Sequence, residues 1–202
     1  GAVYNTTSFH SEGNTYTNNY ANSDIGKGGA IYNSMDKNSK GKFTSKGDTF
    51  SGNHAVDGGA LYLTGKNNII TGATFDNNYT DNQGSGAAVY VAGGANADEA
   101  AMAIINDSTF THNHALGSGG AIYIGEYATA TLIDTNVTDN VAESRGGGIL
   151  VSRNATLEVI ARTKDVVINN NNGSNSDGIT GVRNDITLYG SSHLILDAYG
   201  DH

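Results

Sequence analysis

Two pairs of acidic side chains have a spacing that could serve hydrolysis of a glycosidic bond. Asp76 and Asp81 stand on either side of Asn78, and Asp139 and Glu143 flank the equivalent asparagine of a later repeat. A glycosidase needs two carboxyl groups about 5–9.5 Å apart on either side of the scissile bond. Because the other repeats lack such pairs, we interpret these acids as solvated turn residues. The alternative to a non-enzymatic protein is a carbohydrate-active enzyme, a polysaccharide lyase or a glycoside hydrolase, whose active site uses other residues.

Patterns that would bind a metal ion are weak. His112 and His114 are separated by one residue that should form a turn and splay the two imidazole rings, and no third ligand is evident. The oxygen-rich run at 169–177 lacks both the EF-hand pattern and the glycine-aspartate repeat that binds calcium, so we predict a flexible loop there. A calcium-dependent lyase would need clustered acidic residues and a basic catalytic residue. Arg145 and Arg153 flank a glycine-rich block, but no acidic cluster clearly converges there. We therefore expect no metal, no cofactor and no catalytic residue.

The charge balance restricts the partners of the chain. It carries 20 acidic and 11 basic residues, for a net charge of −9. Phosphate contacts need a basic surface, so we expect no nucleic-acid partner. A local group of bases lies in the connection after Tyr32 and consists of Lys37, Lys40, Lys42 and Lys46. These lysines predict either a solvated loop or a patch for anionic glycans.

These residues are carried by an internal repeat. Its first block reads Gly-Ala-(Ile/Leu/Val)-Tyr or close to it and returns roughly every 30 residues. Full or loosened copies begin at Gly1, Gly28, Gly58, Ser85, Gly119 and Gly146, and a degraded copy occupies 181–184. A second block, aromatic-x-x-Asn-x-Ala, begins at Thr15, Thr49, Thr74, Thr109 and Asn136. A short apolar run precedes each later copy of the second block.

The repeat indicates an all-β fold. Each copy holds three short β-type runs, punctuated by Gly, Asn, Asp and Ser, and none shows a sustained helical period of 3.6 residues. Three short strands in a rung of this length are typical of a right-handed parallel β-helix, a solenoid. Seven copies of the first block predict about seven coils. We treat 1–202 as a single β-helix segment and expect it to be a fragment of a longer protein.

Strand alternation in the first block separates an inner from an outer face. The aliphatic residues should point inward and the tyrosine between them outward, so that the outside bears a tyrosine column. Its members are Tyr4, Tyr32, Tyr62, Tyr90 and Tyr123, continued by Leu150 and Arg183. Aromatic columns stabilise stacked strands, and exposed aromatic residues are also common in interaction surfaces. The column is therefore either a structural ladder or a binding surface.

In the second block the aromatic residue should stack inside and the asparagine should sit at a tight turn. The aromatic positions are Tyr16, Phe50, Phe75, Phe110 and Val137, and the asparagines are Asn19, Asn53, Asn78, Asn113 and Asn140. Asparagine tolerates left-handed backbone angles, and stacked identical amides can hydrogen-bond from rung to rung. A second candidate outer column follows the asparagines and contains Tyr20, His54, Tyr79, His114 and Val141.

The paired blocks resemble the repeats of the chlamydial polymorphic membrane proteins and, more broadly, passenger domains of autotransporter adhesins with a pectin-lyase-like β-helix. The glycine-rich motif recurs at 28–33, 58–63 and 119–124, and the Phe-x-x-Asn motif at 50–53, 75–78 and 110–113. The chain departs from the chlamydial proteins in having no cysteine. The resemblance covers about residues 1–151. It implies that the segment is a fragment of a longer passenger domain, with export by a C-terminal outer-membrane β-barrel, surface display and adhesion.

The sequence and this resemblance together favour a non-enzymatic adhesive or self-associating domain. The resemblance implies a location at the bacterial cell surface, in the outer membrane or outside the cell. The partner would be a host-cell receptor, a glycan or a like chain, and the membrane link would be only the β-barrel, which these residues lack. Its candidate contact residues are the five tyrosines of the column and the lysines Lys37, Lys40, Lys42 and Lys46. A purely structural stalk is a further alternative beside the enzyme.

Overall fold

The chain folds as a parallel β-helix. A computed structural model describes residues 1–34, 42–174 and 181–198. Within these ranges all assigned elements are short β-strands, and none of the described residues forms a helix that could span a membrane. The strands stack from coil to coil in four sheets, and two of these sheets contain seven strands each. The predicted fold class and number of coils are confirmed.

The first two sheets carry the tyrosine block and the apolar run that follows it. The strands of the first sheet are Val3–Asn5, Ile31–Asn33, Leu61–Leu63, Val89–Val91, Ile122–Ile124, Ile149–Val151 and Ile186–Leu188. The strands of the second sheet are Phe9–Glu12, Phe43–Lys46, Asn68–Thr71, Met102–Asn106, Thr129–Ile133, Thr156–Ala161 and His193–Ala198.

The second block of each repeat divides at its asparagine into two strands that belong to different sheets. The third sheet contains Thr15–Thr17, Thr49–Ser51, Thr74–Asp76, Thr109–Thr111, Asn136–Thr138 and Ile168–Asn169. The fourth sheet contains His54–Ala55, Tyr79–Thr80, His114–Ala115, Val141–Ala142, Asn172–Gly173 and Val182–Arg183. A complete coil therefore contributes to four sheets, with the second block turning a corner at each asparagine.

The core is a stack of identical side chains in register. Phe50 pairs with Phe75 and Phe75 with Phe110, and all three are fully buried. The Phe75 and Phe110 rings lie parallel, with centroids 4.5 Å apart and an interplanar angle of 3°. Aliphatic residues of the first and second sheets, among them Ile31, Leu61 and Ile122, fill the rest of the interior. The predicted inward parity of both blocks is confirmed.

The paired glycines of the first block have two different roles. The first glycine of a pair has a positive φ, for example 63° at Gly58 and 67° at Gly119, where an L side chain would be strained. The second glycine has no space for a side chain: a Cβ on Gly120 would lie 1.9 Å from the carbonyl oxygen of Gly147 in the next coil. The Gly-Gly motif is therefore a requirement of coil-to-coil packing.

A buried asparagine ladder runs along the stack at the corner between the third and fourth sheets. The Nδ2 of Asn78 donates to Oδ1 of Asn113 at 2.9 Å and to the carbonyl of Phe50 at 3.0 Å, and its Oδ1 accepts from Asn53. Asn113 repeats the pattern with Asn140 at 2.9 Å. Each amide is thus satisfied by the coils on either side.

The asparagines were expected to have either a positive φ or buried amides bonded to neighbouring rungs, and the second alternative is the one observed. Positive φ belongs to the residue before each ladder asparagine, as at Asn77 with 54°, His112 with 53° and Asp139 with 58°. The ladder asparagines themselves bury their amides instead. The chain therefore turns one residue earlier, and the turn aims the asparagine side chain into the corner.

The ladder also extends beyond the last predicted member. Asn140 donates to Asn171 at 2.9 Å, and Asn171 donates to Oδ1 of Asp185 at 3.0 Å. Asn171 is fully buried and Asn172–Gly173 is a strand, so the prediction of a flexible loop at 169–177 is wrong for residues 169–174. The rest of that run lies outside the described residues.

The seventh coil begins later than the repeat alignment predicts. Ile149 pairs with Ile186 and Leu150 with Thr187, so Arg183 does not continue the tyrosine column. Instead Val182–Arg183 folds back antiparallel onto Asn172–Gly173. The apparent first-block copy at 181–184 is therefore a fourth-sheet segment. Because Asp185 closes the asparagine ladder, the true first-block strand can start only after it.

The phenylalanine stack should dominate stability. Phe110→Ala removes a fully buried ring that lies against Phe75 and should lower the free energy of unfolding by about 3–5 kcal/mol through lost burial and the cavity left behind. The measurement is reversible urea unfolding. Phe110→Leu, which keeps most of the volume, should lose clearly less. A loss below about 1 kcal/mol for the alanine variant would contradict the inward position of this ring.

Removing one rung of the asparagine ladder should leave buried donors unpaired. In Asn113→Ala the Nδ2 and the backbone N–H of Asn78 lose their common acceptor, at an expected cost of about 1–3 kcal/mol for each donor. Asn136→Ala is the matched control, because its Oδ1 accepts only an exposed N–H of Val167, and it should lose less than about 1 kcal/mol. Equal losses in the two variants, measured by urea unfolding, would exclude a special role for the ladder.

Candidate functional site

The outer face of the first sheet aligns the predicted tyrosines in one column. Strand pairing places Tyr4 beside Tyr32, Tyr32 beside Tyr62, Tyr62 beside Tyr90, and Tyr90 beside Tyr123. The first two contacts are edge-to-face, with interplanar angles of 74° and 81°. The last two are stacked, with centroids 4.8 and 4.7 Å apart and angles of 10° and 21°. The column therefore changes its ring orientation at Tyr62.

The column is half-buried, whereas the sequence predicted an exposed one. Tyr4 is 67% exposed, Tyr62 is only 8% exposed, and Tyr32, Tyr90 and Tyr123 are intermediate. Neighbouring rings cover one another, and Lys27 covers Tyr62 with its Nζ 4.7 Å from the ring centroid. Ring edges and hydroxyls, rather than ring faces, are consequently what the stacked part of the column offers to solvent.

One flank of the column is lined by residues that immediately precede the first glycine of each first block. Backbone hydrogen bonds between successive coils hold these positions in register. The members, which we call the polar rim, are Lys27, Asp57, Ser85, Ser118 and Arg145. The rim has a cation at each end, with the Asp57 carboxyl and two serine hydroxyls between them. The repeat analysis did not single out this pattern.

The other flank is low because it is built from small residues. Gly93, Gly94, Gly125 and Ser152 border Tyr90 and Tyr123 on this side, with Glu126 as the one charged member. A Cβ on Gly125 would lie 2.3 Å from the backbone nitrogen of Gly93, so these segments pack without side chains. The small residues leave the tyrosine edges accessible.

The flanks and the tyrosines enclose a shallow groove along the stack. A hollow of about 410 Å³ has Tyr62, Tyr90 and Tyr123 as its floor. A second hollow of about 250 Å³ adjoins it, shares Tyr123 and Ser152, and is bordered by Arg145. We call the two together the tyrosine groove. It crosses several coils, so one extended partner could contact equivalent positions in each of them.

Burial controls the ionisation of the groove. It raises the pKa of Tyr62 and Tyr90, so their phenols stay protonated at neutral pH and can donate a hydrogen bond. Burial also raises the pKa of Asp57, against the opposing effects of the Ser85 N–H and Lys27. Desolvation disfavours the Lys27 ammonium, but the nearby phenols and Asp57 outweigh it and raise the pKa of Lys27. Lys27 is therefore a persistent cation at the rim.

The second predicted outer column alternates tyrosine with histidine and is held by carboxylates. His54 Nε2 lies 2.7 Å from Asp81, and His114 Nε2 lies 2.7 Å from Glu143. The rings stack or meet edge-to-face along the fourth sheet, as for Tyr20 and His54 at 4.6 Å. These acids belong to different coils from their histidines. They act as clamps between coils, which is more specific than the solvated turn role predicted for them.

Asp76 and His112 are similarly engaged. Asp76 accepts hydrogen bonds from His112 at 2.9 Å and from Thr111 at 3.0 Å, while His114 turns to Glu143. The two histidines therefore face different carboxylates. In the part of the chain that the structure describes, no cluster of three or more histidine and acidic side chains could hold a metal ion.

The lysine group is not brought to the tyrosine groove in the described residues. Lys46 ends a strand of the second sheet, and its Nζ contacts Glu12 at 2.6 Å. Lys42 lies beside the same strand and borders a small hollow with Phe9 and His10. Lys37 and Lys40 lie outside the described residues. The cations that flank the groove are Arg145 and Lys27, and among the described residues Lys27 is the one member of the basic stretch at 27–46 that lies there.

Comparison with known proteins identifies the repeat. Residues 49–64 and 107–125 match the family model for the Chlamydia polymorphic membrane protein repeat. Each segment runs from a third-sheet strand through the ladder asparagine to a first-sheet tyrosine strand. No curated protein and no solved structure matches the chain. The resemblance seen in the motifs is confirmed, and the family implies a surface-exposed, autotransporter-type protein with an outer-membrane or surface location.

The clamp on Asp76 should contribute to acid sensitivity. Although burial alone would raise the pKa of Asp76, hydrogen bonds from His112, Thr111 and Asn77 lower it below the ordinary value. A carboxyl whose pKa is lower when folded stabilises the fold above its unfolded pKa, and this stabilisation is lost as the pH falls through the folded pKa.

Asp76→Asn should therefore destabilise the protein at neutral pH more than at about pH 3, where the native carboxyl is also losing its charge. The measurement is the melting temperature of both proteins across this pH range. A difference in melting temperature that stays constant with pH would contradict an ionised Asp76 clamp.

Proposed function

We propose that this chain is an adhesive or self-associating passenger segment that contacts its partner through the tyrosine groove. Its partner would be a host-cell receptor, a glycan or a like chain, and it would act at the bacterial cell surface, in the outer membrane or after secretion. The observation that carries the proposal is the groove itself, where accessible tyrosine edges repeat over several coils between the polar rim and a flank of small residues.

A purely structural column would not need this accessibility. Stacking of Tyr90 on Tyr123 requires only the ring faces, and bulky flanks would stabilise the rings further by burying them. Instead, one flank contains Gly93, Gly94 and Gly125, which have no side chains to cover the rings. Tyrosine offers a large contact area at low side-chain entropy cost, which suits a recognition surface. The structural and binding roles therefore use different parts of the same side chain.

The enzyme alternative has less support. Asp76, Asp81 and Glu143 each lie against a histidine in a contact between coils. None of the three borders the tyrosine groove, whose acidic neighbours are Asp57 and Glu126. A stalk without a binding surface would leave the groove without a role. Binding thus accounts for more of the observed arrangement than either alternative.

Two tyrosines should decide attachment. Replacing Tyr90 and Tyr123 together by Ser should reduce cell attachment or self-association by about tenfold or more, because the floor of the groove is removed. Tyr62 is left intact because it is buried and its loss would disturb packing. The measurements are attachment of the labelled protein to cells and its sedimentation behaviour.

The matched control is Tyr79→Ser, the same change in the column of the fourth sheet, which lies outside the groove. It should leave attachment within about twofold of the unchanged protein. Circular dichroism should show a β-rich spectrum for all variants. Full attachment by the folded double variant, or an equal loss in the Tyr79 variant, would overturn the assignment to the tyrosine groove.

A further inference from the structure

We propose that the tyrosine groove binds a linear acidic polysaccharide that lies along the axis of the stack, with Lys27 and Arg145 as the anchors for its carboxylates. This inference rests on the proposed function and names the class of ligand that the groove would take. It is carried by three features: the row of tyrosine hydroxyls, the placement of the two cations, and the position of the groove on a sheet face.

The stacked tyrosines present a repeating polar row. Tyr62, Tyr90 and Tyr123 use their ring faces to contact one another at 4.8 and 4.7 Å, so a ligand in the groove meets ring edges and hydroxyls. The row advances by one strand spacing per coil, about 4.8 Å. An extended chain of pyranose rings advances by a similar distance per sugar and carries hydroxyls on each. The spacing therefore favours a saccharide with one sugar per coil.

Two hydroxyls of this row, those of Tyr90 and Tyr123, have no hydrogen-bond partner among the described residues, whereas Tyr62 is buried and hydrogen-bonds with Lys27. A phenol both donates and accepts, as a sugar hydroxyl does, so the two can pair in either direction. Ser85 and Ser118 on the polar rim add further hydroxyls at the same spacing. The groove is thus polar along the ligand's whole path.

The cations stand at the two ends of the polar rim. Lys27 lies over Tyr62, and Arg145 lies with its guanidinium 5.7 Å from the Tyr189 ring centroid. Four coil steps separate their rim positions, which corresponds to about 19 Å. A saccharide of about five sugars would reach both. Asp57 and Glu126 are the acidic neighbours of the groove, so among its described residues only the two cations attract a ligand's carboxylates.

The groove fits a saccharide better than it fits a peptide strand. Peptide addition to a sheet needs an open strand edge with unpaired backbone groups. The tyrosine groove lies on a sheet face, where the backbone groups of Leu61–Leu63, Val89–Val91 and Ile122–Ile124 are already paired between coils. Recognition must therefore come from side chains, and those present are the hydroxyls and the two cations, beside the carboxyl groups of Asp57 and Glu126.

The test measures binding of hyaluronan oligosaccharides by calorimetry. Affinity should rise from the disaccharide through the tetrasaccharide to the hexasaccharide and then level off, because the hexasaccharide is the first of these to span both cations. Chitohexaose, a neutral chain, should bind at least about tenfold more weakly, and added salt should weaken only the acidic ligand.

Single substitutions separate the contributions of the two cations and of the tyrosine hydroxyl to saccharide binding. Lys27→Gln and Arg145→Gln should each weaken the hexasaccharide by about tenfold and leave chitohexaose unchanged. Tyr123→Phe keeps the stacked ring and removes the free hydroxyl, so it should weaken both ligands severalfold while leaving thermal stability unchanged. Lys164→Gln is the control, because Lys164 contacts Asp107 away from the groove, and it should bind as the unchanged protein does.

The outcomes distinguish this inference from the proposed function. Absence of saccharide binding, together with loss of attachment in the Tyr90 and Tyr123 double variant, would overturn the polysaccharide and leave the adhesive groove in place. Concentration-dependent dimers that the same double variant abolishes would then identify a second copy of the chain as the occupant. Equal binding of acidic and neutral chains, or equal effects of Lys164→Gln and Lys27→Gln, would overturn the role of the two cations.

Discussion

The rest of the structure depends on the buried asparagine ladder. An amide without partners costs about 1–3 kcal/mol inside a protein, and the ladder avoids this cost only if each coil places an asparagine opposite the next. Asn78 and Asn113 illustrate the condition, since each accepts from the coil before it and donates to the coil after it. A shift of one residue in any coil would leave buried donors on both sides. The ladder thereby sets one register for all four sheets, and the phenylalanine and tyrosine columns follow from it.

Much of the fold could be predicted because the register of the coils corresponds to a repeat in the sequence. Phe75 and Phe110 recur at matched positions before their asparagines, so their stacking inside a β-helix follows from strand alternation. The seventh coil could not be predicted in the same way. There the ladder passes from Asn171 to Asp185 across a fold-back that no motif marks, and a carboxylate replaces the amide. The resemblance of 181–184 to the first block is local, and the long-range hydrogen bond prevails.

The sequence predicted the tyrosines that form the floor of the candidate site, but not the cations at its edges. The tyrosines share one strand position, so their column was evident, whereas the burial of Tyr62 depends on Lys27 from the preceding connection. Lys27 and Arg145 lie four coils apart and far apart in sequence, yet both occupy the residue before a glycine pair. That position was the available signal. The lysines after Tyr32 drew attention by their density in sequence, which does not place them near the groove.

The same constraint explains how one column can serve both stability and recognition. The register between coils brings Tyr90 and Tyr123 into face-to-face contact. The ring faces are therefore used in packing, and only the ring edges can contact a partner. Each edge offers a small contact, and affinity must accumulate over several coils. A partner with a matching repeat gains one contact per coil without further ordering of the protein, because the tyrosines are already held in place. A rigid stack of this kind therefore selects for extended, repetitive partners over compact ones.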